Sequence, residues 1–133
     1  MNISKVYCLD ASILVHFLTS GEPTSSIANW WEHLLEAGHA LIAPTLIYYE
    51  VGNALHQHVR YKLLTDREAD AAFQLALDLN LVTVMDADLH KRAIQMARLH
   101  ELSAIYDAHY LALSERMGAE FWTLDGKLVN KVK

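Results

Sequence analysis

Lys5-Val6-Tyr7-Cys8-Leu9-Asp10-Ala11-Ser12 is the stretch whose reading decides the fold. Residues 6–9 are a short apolar run rich in strand formers. The run stops at a carboxylate and a small hydroxyl residue, after which Ile13, Leu14, Phe17 and Leu18 recur at helical spacing. This is the pattern of a buried strand feeding a helix. In an open parallel α/β sheet, ligands sit outside the carboxyl ends of the strands, so an acid at that junction points into the functional crevice. Asp10 also has a plain structural reading as the N-cap of the helix after it. Three more acids, Glu50, Asp107 and Asp125, stand at similarly placed junctions and favour a shared site.

A chain of 133 residues is the size of one domain, here expected to span 1–133. With 53% apolar residues, five Gly and two Pro, it has no low-complexity tract and no evident linker. Its longest apolar runs are broken by Asp10, His16, Pro44 and Glu50. None therefore reaches the roughly 18 residues of a membrane span, and no signal peptide is expected. The single cysteine, Cys8, has no internal partner for a disulfide, which fits a reducing cytoplasm. A net charge of -5 argues against nucleic-acid binding by bulk electrostatics. It leaves room for a nuclease, whose acidic centre is neutralised by cations outside the formal count. Eight histidines invite a zinc reading, but His56 and His58 face different ways on a helix and the one cysteine lies in a strand. Surface or capping roles are expected for them.

Beyond the first helix, residues 20–26 read as a loop. Ile27, Trp30, Trp31, Leu34 and Leu35 then mark an amphipathic helix that ends at Gly38. The tryptophans read as packing residues, since no basic residue lies among them to make a base-stacking platform. Residues 40–43 form a second strand, and Pro44-Thr45 open a helix reaching about Tyr61, with Ile47, Val51, Ala54 and Leu55 as its core stripe. Glu50, Asn53 and Gln57 share its polar face, which is either solvated or part of a site. Thr65 and Glu68 form a capping box for a helix carrying Ala72, Leu75, Ala76 and Leu79. Residues 81–84 are a third strand. Asp86 and Asp88 then serve as cap and first-turn charge of the next helix, outside the site. Asp107 falls in the first turn of a helix with Ala108, Leu111, Ala112 and Met117 as its expected stripe. Residues 120–124 are a fourth strand, ending at Asp125-Gly126. That dipeptide reads either as a hairpin turn pairing 121–124 with 128–132 or as the end of another parallel strand, which the alternation along the chain favours.

Alternating strands and helices imply right-handed crossovers and a parallel sheet covered on both faces. Asp10, Glu50 and Asp125 would then converge at one edge, joined by Asp107. Four carboxylates in one crevice repel one another, and burial raises their pKa values unless a cation is present. Oxygen ligands without Cys or His suit Mg²⁺ or Mn²⁺, which activate water and stabilise phosphoryl displacement.

Leu9-Asp10-Ala11-Ser12, Glu50 with Asn53-Ala54-Leu55, the run from Tyr106-Asp107-Ala108 through Glu115, and Thr123-Leu124-Asp125 resemble, in order and spacing, the four motifs of PIN-domain ribonucleases, especially VapC-like toxins. The resemblance implies a three-layer α/β fold with a central parallel sheet of four or five strands and helices on both faces. It implies Asp10, Glu50, Asp107 and Asp125 as catalytic, metal-binding acids, with Ser12 supporting the first and Asn53 and Thr123 orienting their neighbours. It also implies an Mg²⁺-dependent endoribonuclease acting as the toxin of a type II toxin–antitoxin pair: a homodimer that cleaves RNA and is neutralised by a small antitoxin. An RNA-processing nuclease and a non-catalytic PIN-like binding module are the alternatives; the latter would be expected to lack at least one acid. Two departures stand out. Ala11 occupies a position where the family commonly has a hydroxyl residue, and the fifth strand is expected to be missing, truncated or very short.

Overall fold

The structure, a computed structural model, describes residues 5–20, 26–79, 81–125 and 128, without the side chains of residues 26–28 and 30. Four strands, β1 (Val6–Leu9), β2 (Ala40–Pro44), β3 (Leu81–Val84) and β4 (Glu120–Trp122), form one sheet in the order β3-β2-β1-β4. Every pairing is parallel. Tyr7 stands beside Leu41 and Glu120, Leu9 beside Trp122, and Pro44 beside Val84. The inner strands have the continuous apolar character of strands covered on both faces: Cys8, Leu9, Leu41, Ile42 and Ala43 are all buried.

Six helices connect the strands: α1 (Ala11–Thr19), α2 (Ser26–Glu36), α3 (Leu46–Arg60), α4 (Asp66–Asp78), α5 (Ala87–Leu99) and α6 (Ile105–Met117). The chain steps from β1 to β2 to β3 in one direction and then returns past β1 to β4. Right-handed crossovers therefore place α1–α4 on one face and α5–α6 on the other. The packing agrees, since α1 touches α2, α3 and α4, whereas α6 pairs with α5 and lies against β1, β2 and β4. Trp31 is buried and its ring stacks on Phe17 at 5.0 Å, the packing role expected for it. Such a pair contributes about 0.5–1.5 kcal/mol beyond area burial.

The strand ends are cut as local chemistry requires. Asp10 and Asp86 cap α1 and α5, while Thr65 and Glu68 close the expected capping box on α4 at 3.1 and 2.9 Å. Gly118 ends α6 in the left-handed region at φ 59, letting Ala119 N–H reach the Ser114 carbonyl at 2.9 Å. The fourth strand stops at Trp122, two residues earlier than the sequence suggested. The N–H groups of Leu124 and Asp125 bond instead to the hydroxyls of Ser12 and Thr123, both at 2.9 Å.

Three expectations need correction. Met117 and Leu75 are exposed rather than in the core, and His109 is buried rather than at the surface. The first two reflect helices whose buried arcs differ from the assumed stripes. On α6, burial covers Ala108, His109, Tyr110, Ala112, Leu113 and Ser114, which go most of the way round the helix. His109 is fixed by two ring contacts. Its Nδ1–H donates to the Ile105 carbonyl at 2.8 Å, and its Nε2 pairs with His90 Nδ1 at 2.7 Å. The loop expected at 20–26 and the fifth strand fall largely outside the described residues. Of the proposed hairpin partner, only Leu128 is described; it is helical and buried.

Candidate active site

The strand order reverses between β1 and β4, and the crevice at such a switch point is where open α/β sheets place their sites. Asp10 sits there, 6% exposed, immediately after β1. Its Oδ1 accepts from Ser12 Oγ at 2.5 Å and from Ile13 N–H at 3.3 Å, and its Oδ2 accepts from the Thr123 hydroxyl. One oxygen caps α1, as the plain structural reading has it, and the carboxylate lies at the crevice.

Ser12 and Thr123 each receive a backbone N–H and donate onward to Asp10. The chain leaving β4 is thereby tied to the start of α1. Asp125 follows on the same strap. Its Oδ1 accepts from Leu128 N–H at 3.1 Å, the contact an N-cap carboxylate makes with the third residue beyond it, not that of a hairpin turn.

Glu50 reaches the crevice from the second turn of α3, half-buried, and Tyr110 Oη donates to its Oε1 at 2.6 Å. Asn53 is exposed on the same helix, and among the described residues no hydrogen bond joins it to Glu50. The side chain that contacts Glu50 is Tyr110, which the sequence reading did not single out. The available signal was its spacing, three residues beyond Asp107 and so on the same face of α6.

The electrostatics tie these acids together. Burial pushes the carboxyl of Asp10 above the usual range, against the lowering effect of the Ser12, Thr123 and Ile13 bonds. Burial also raises Glu50; the Tyr110 bond opposes this, and the charges of Asp107 and Asp10 add to it. Asp107, in the first turn of α6, is raised by burial and then by Asp125 and Asp10. Carboxylates from β1, α3, α6 and the end of β4 thus feel one another across a single rim. They line it without closing: among the described residues, no three His, Cys, Asp or Glu side chains are gathered tightly enough to enclose one ion.

A doubly wound parallel domain with carboxylates along its switch-point rim is the class of protein that the fold and the site define. The chain belongs to the PIN domain family, whose model matches residues 7–133. Ribonuclease VapC3 of Pyrobaculum aerophilum is 35% identical over 88 residues, covering 65% of this chain. The match covers 66% of that relative, just under two thirds of its length. Among solved structures, the fold resembles that of Mycobacterium tuberculosis VapC20, described as a sarcin-ricin loop cleaving toxin. The TM-score is 0.70 at 18% identity, with 93% of each chain covered.

Proposed function

We propose that this chain is a metal-dependent endoribonuclease, the toxin of a type II toxin–antitoxin pair. The observation that carries the proposal is the set of acids at the switch point: burial holds Asp10, Glu50 and Asp107 above their ordinary pKa values, and at Glu50 and Asp107 the charges of neighbouring acids add to it. Leaving such groups charged at neutral pH is costly without a nearby cation, and the donor set fits a hard one: carboxylate oxygens, with no thiolate or imidazole among them. Asp10, Glu50 through Oε2, Asp107 and Asp125 would hold Mg²⁺ or Mn²⁺. When bound, such an ion lowers the pKa of water and offsets charge on the phosphate oxygens during displacement.

The chain's own residues supply orientation. Ser12 and Thr123 fix the plane of the Asp10 carboxylate, and Tyr110 holds one oxygen of Glu50 so that the other is free. The rim needs no basic lining if phosphate is drawn by the cation, which reconciles an RNA substrate with a net charge of -5. The names of the two relatives support the ribonuclease and toxin readings, and with them a small antitoxin as partner. A homodimer and a cytoplasmic setting complete the proposal. No helix among the described residues is long and apolar enough to cross a membrane. Digestion of total RNA with and without Mg²⁺, with mapping of the new ends, tests the activity. Discrete Mg²⁺-dependent ends are expected, and intact RNA in both reactions would overturn the reading.

A further inference from the structure

Tyr110 lies within the run from Tyr106 to Glu115 but is not among the residues given a site role there, and it joins two of the helices that carry those residues. The residue is 1% exposed, and its ring lies 6.3 Å from that of Phe121 on β4. Its carbonyl accepts from Ser114 Oγ at 2.8 Å and from Cys8 Sγ at 3.6 Å. The phenol therefore projects from a fixed base. From there it reaches Glu50, sixty residues away in sequence, at 2.6 Å.

We propose that Tyr110 is a positioning residue of the metal site, its hydroxyl holding Glu50 Oε1 so that Oε2 faces the cation. The proposal rests on the nuclease reading above. Asp107 and Tyr110 are three residues apart on α6, so a single helix places one acid and steers another. A long Glu side chain has three rotatable bonds, and without an anchor it would sample positions off the rim. A purely structural solution needs none of this, since Phe against an aliphatic residue fills the same space without burying a charge. The polar pair instead keeps a half-buried carboxylate beside Asp10 and Asp107, where its charge is disfavoured. That placement has a use if the carboxylate is a ligand. Partners that orient ligands in this way typically change metal affinity or activity by about 10–100-fold when removed.

The test compares the intact chain with Tyr110→Phe and with Phe121→Leu, which loosens the same packing but spares the hydroxyl. Mn²⁺ binding is followed by calorimetry, and RNA cleavage as a function of Mg²⁺ concentration. Tyr110→Phe should weaken Mn²⁺ binding by about 10-fold or more and raise the half-saturating Mg²⁺ concentration in parallel. Phe121→Leu should change melting temperature and leave Mn²⁺ affinity alone. Equal Mn²⁺ affinity in Tyr110→Phe and the unaltered chain overturns the positioning role, as does an equal loss in Phe121→Leu. If the unaltered chain neither binds Mn²⁺ nor cleaves RNA, the nuclease reading itself falls. Should Tyr110→Phe not fold, carbon-13 labelling of the tyrosine Cζ atoms gives the answer in the unaltered chain. The Tyr110 resonance should move on Mg²⁺ titration, and a stationary signal at saturation overturns the proposal.

Discussion

Asp10 follows β1 and Asp86 follows β3, and each accepts the backbone N–H of the third residue beyond it, Ile13 at 3.3 Å and Leu89 at 2.7 Å. Their surroundings are opposite. Asp86 is exposed beside an edge strand and takes two bonds from Arg116 at 2.7 and 3.1 Å, which hold its carboxyl down to about 2. Asp10 is buried at the end of an inner strand, braced by hydroxyls and flanked by acids, and burial holds its carboxyl up. The same capping contact thus yields a surface ion pair in one place and a candidate ligand in the other. The strand's position in the sheet makes the difference: β1 ends at the switch point, and β3 is an edge strand away from it.

Exchange of each acid for its amide sharpens this contrast. Asp10→Asn should lower Mg²⁺-dependent RNA cleavage by about 100-fold or more, beyond the usual cost of an outer partner, while Asp86→Asn keeps most of it. Comparable loss in both variants, measured by the appearance of cut ends, would erase the distinction. Next in size is ligand linkage. At about 100 times its Kd a bound cation adds about 2.7 kcal/mol to stability. Mg²⁺ should therefore raise the melting temperature of the unaltered protein and of Asp86→Asn, and leave that of Asp10→Asn unmoved.

The pH dependences of the two acids run in opposite directions. A carboxyl raised in the folded state, as at Asp10, favours folding where it is protonated, and that contribution is lost as pH rises through its folded pKa. Without metal at neutral pH, Asp10→Asn should therefore melt no lower than the unaltered protein and gain on it as pH rises. A clear loss of stability at pH 7 would mean that the hydroxyl braces outweigh burial. Asp86 is lowered from 3.8 to about 2, so its contribution is present above the unfolded value and is lost as pH falls through that interval. The smallest effect is expected there. Asp86→Asn should flatten the acid limb of a melting-temperature profile between about pH 4 and 2, and leave neutral stability nearly unchanged because the pair is exposed.

Much of the fold was legible because it is local. The apolar runs at 6–9 and 81–84 coincide with strands, and Asp86, Thr65 and Glu68 cap the helices as their spacing implies. The placement of Asp10, Asp107 and Asp125 was legible for a related reason, since each follows a strand or falls in the first turn of a helix, whereas Glu50 lies in the second turn of α3. What the sequence hid depends on contacts between distant segments. A helix covered around most of its circumference, like α6, has no single apolar stripe to read. Asn53 and Glu50 share a helix face, but only the packing of α6 reveals that Tyr110 reaches Glu50. His109 was similarly opaque, because its partner His90 comes from α5.

Titration of Mn²⁺ into the unaltered chain, Asp10→Asn and Asp86→Asn, followed by calorimetry at neutral pH, bears most directly on whether the switch-point acids hold a divalent cation. Saturable binding is expected in the unaltered chain and in Asp86→Asn, and is expected to be lost in Asp10→Asn. Equal binding by all three, or none by the unaltered chain, would contradict the account.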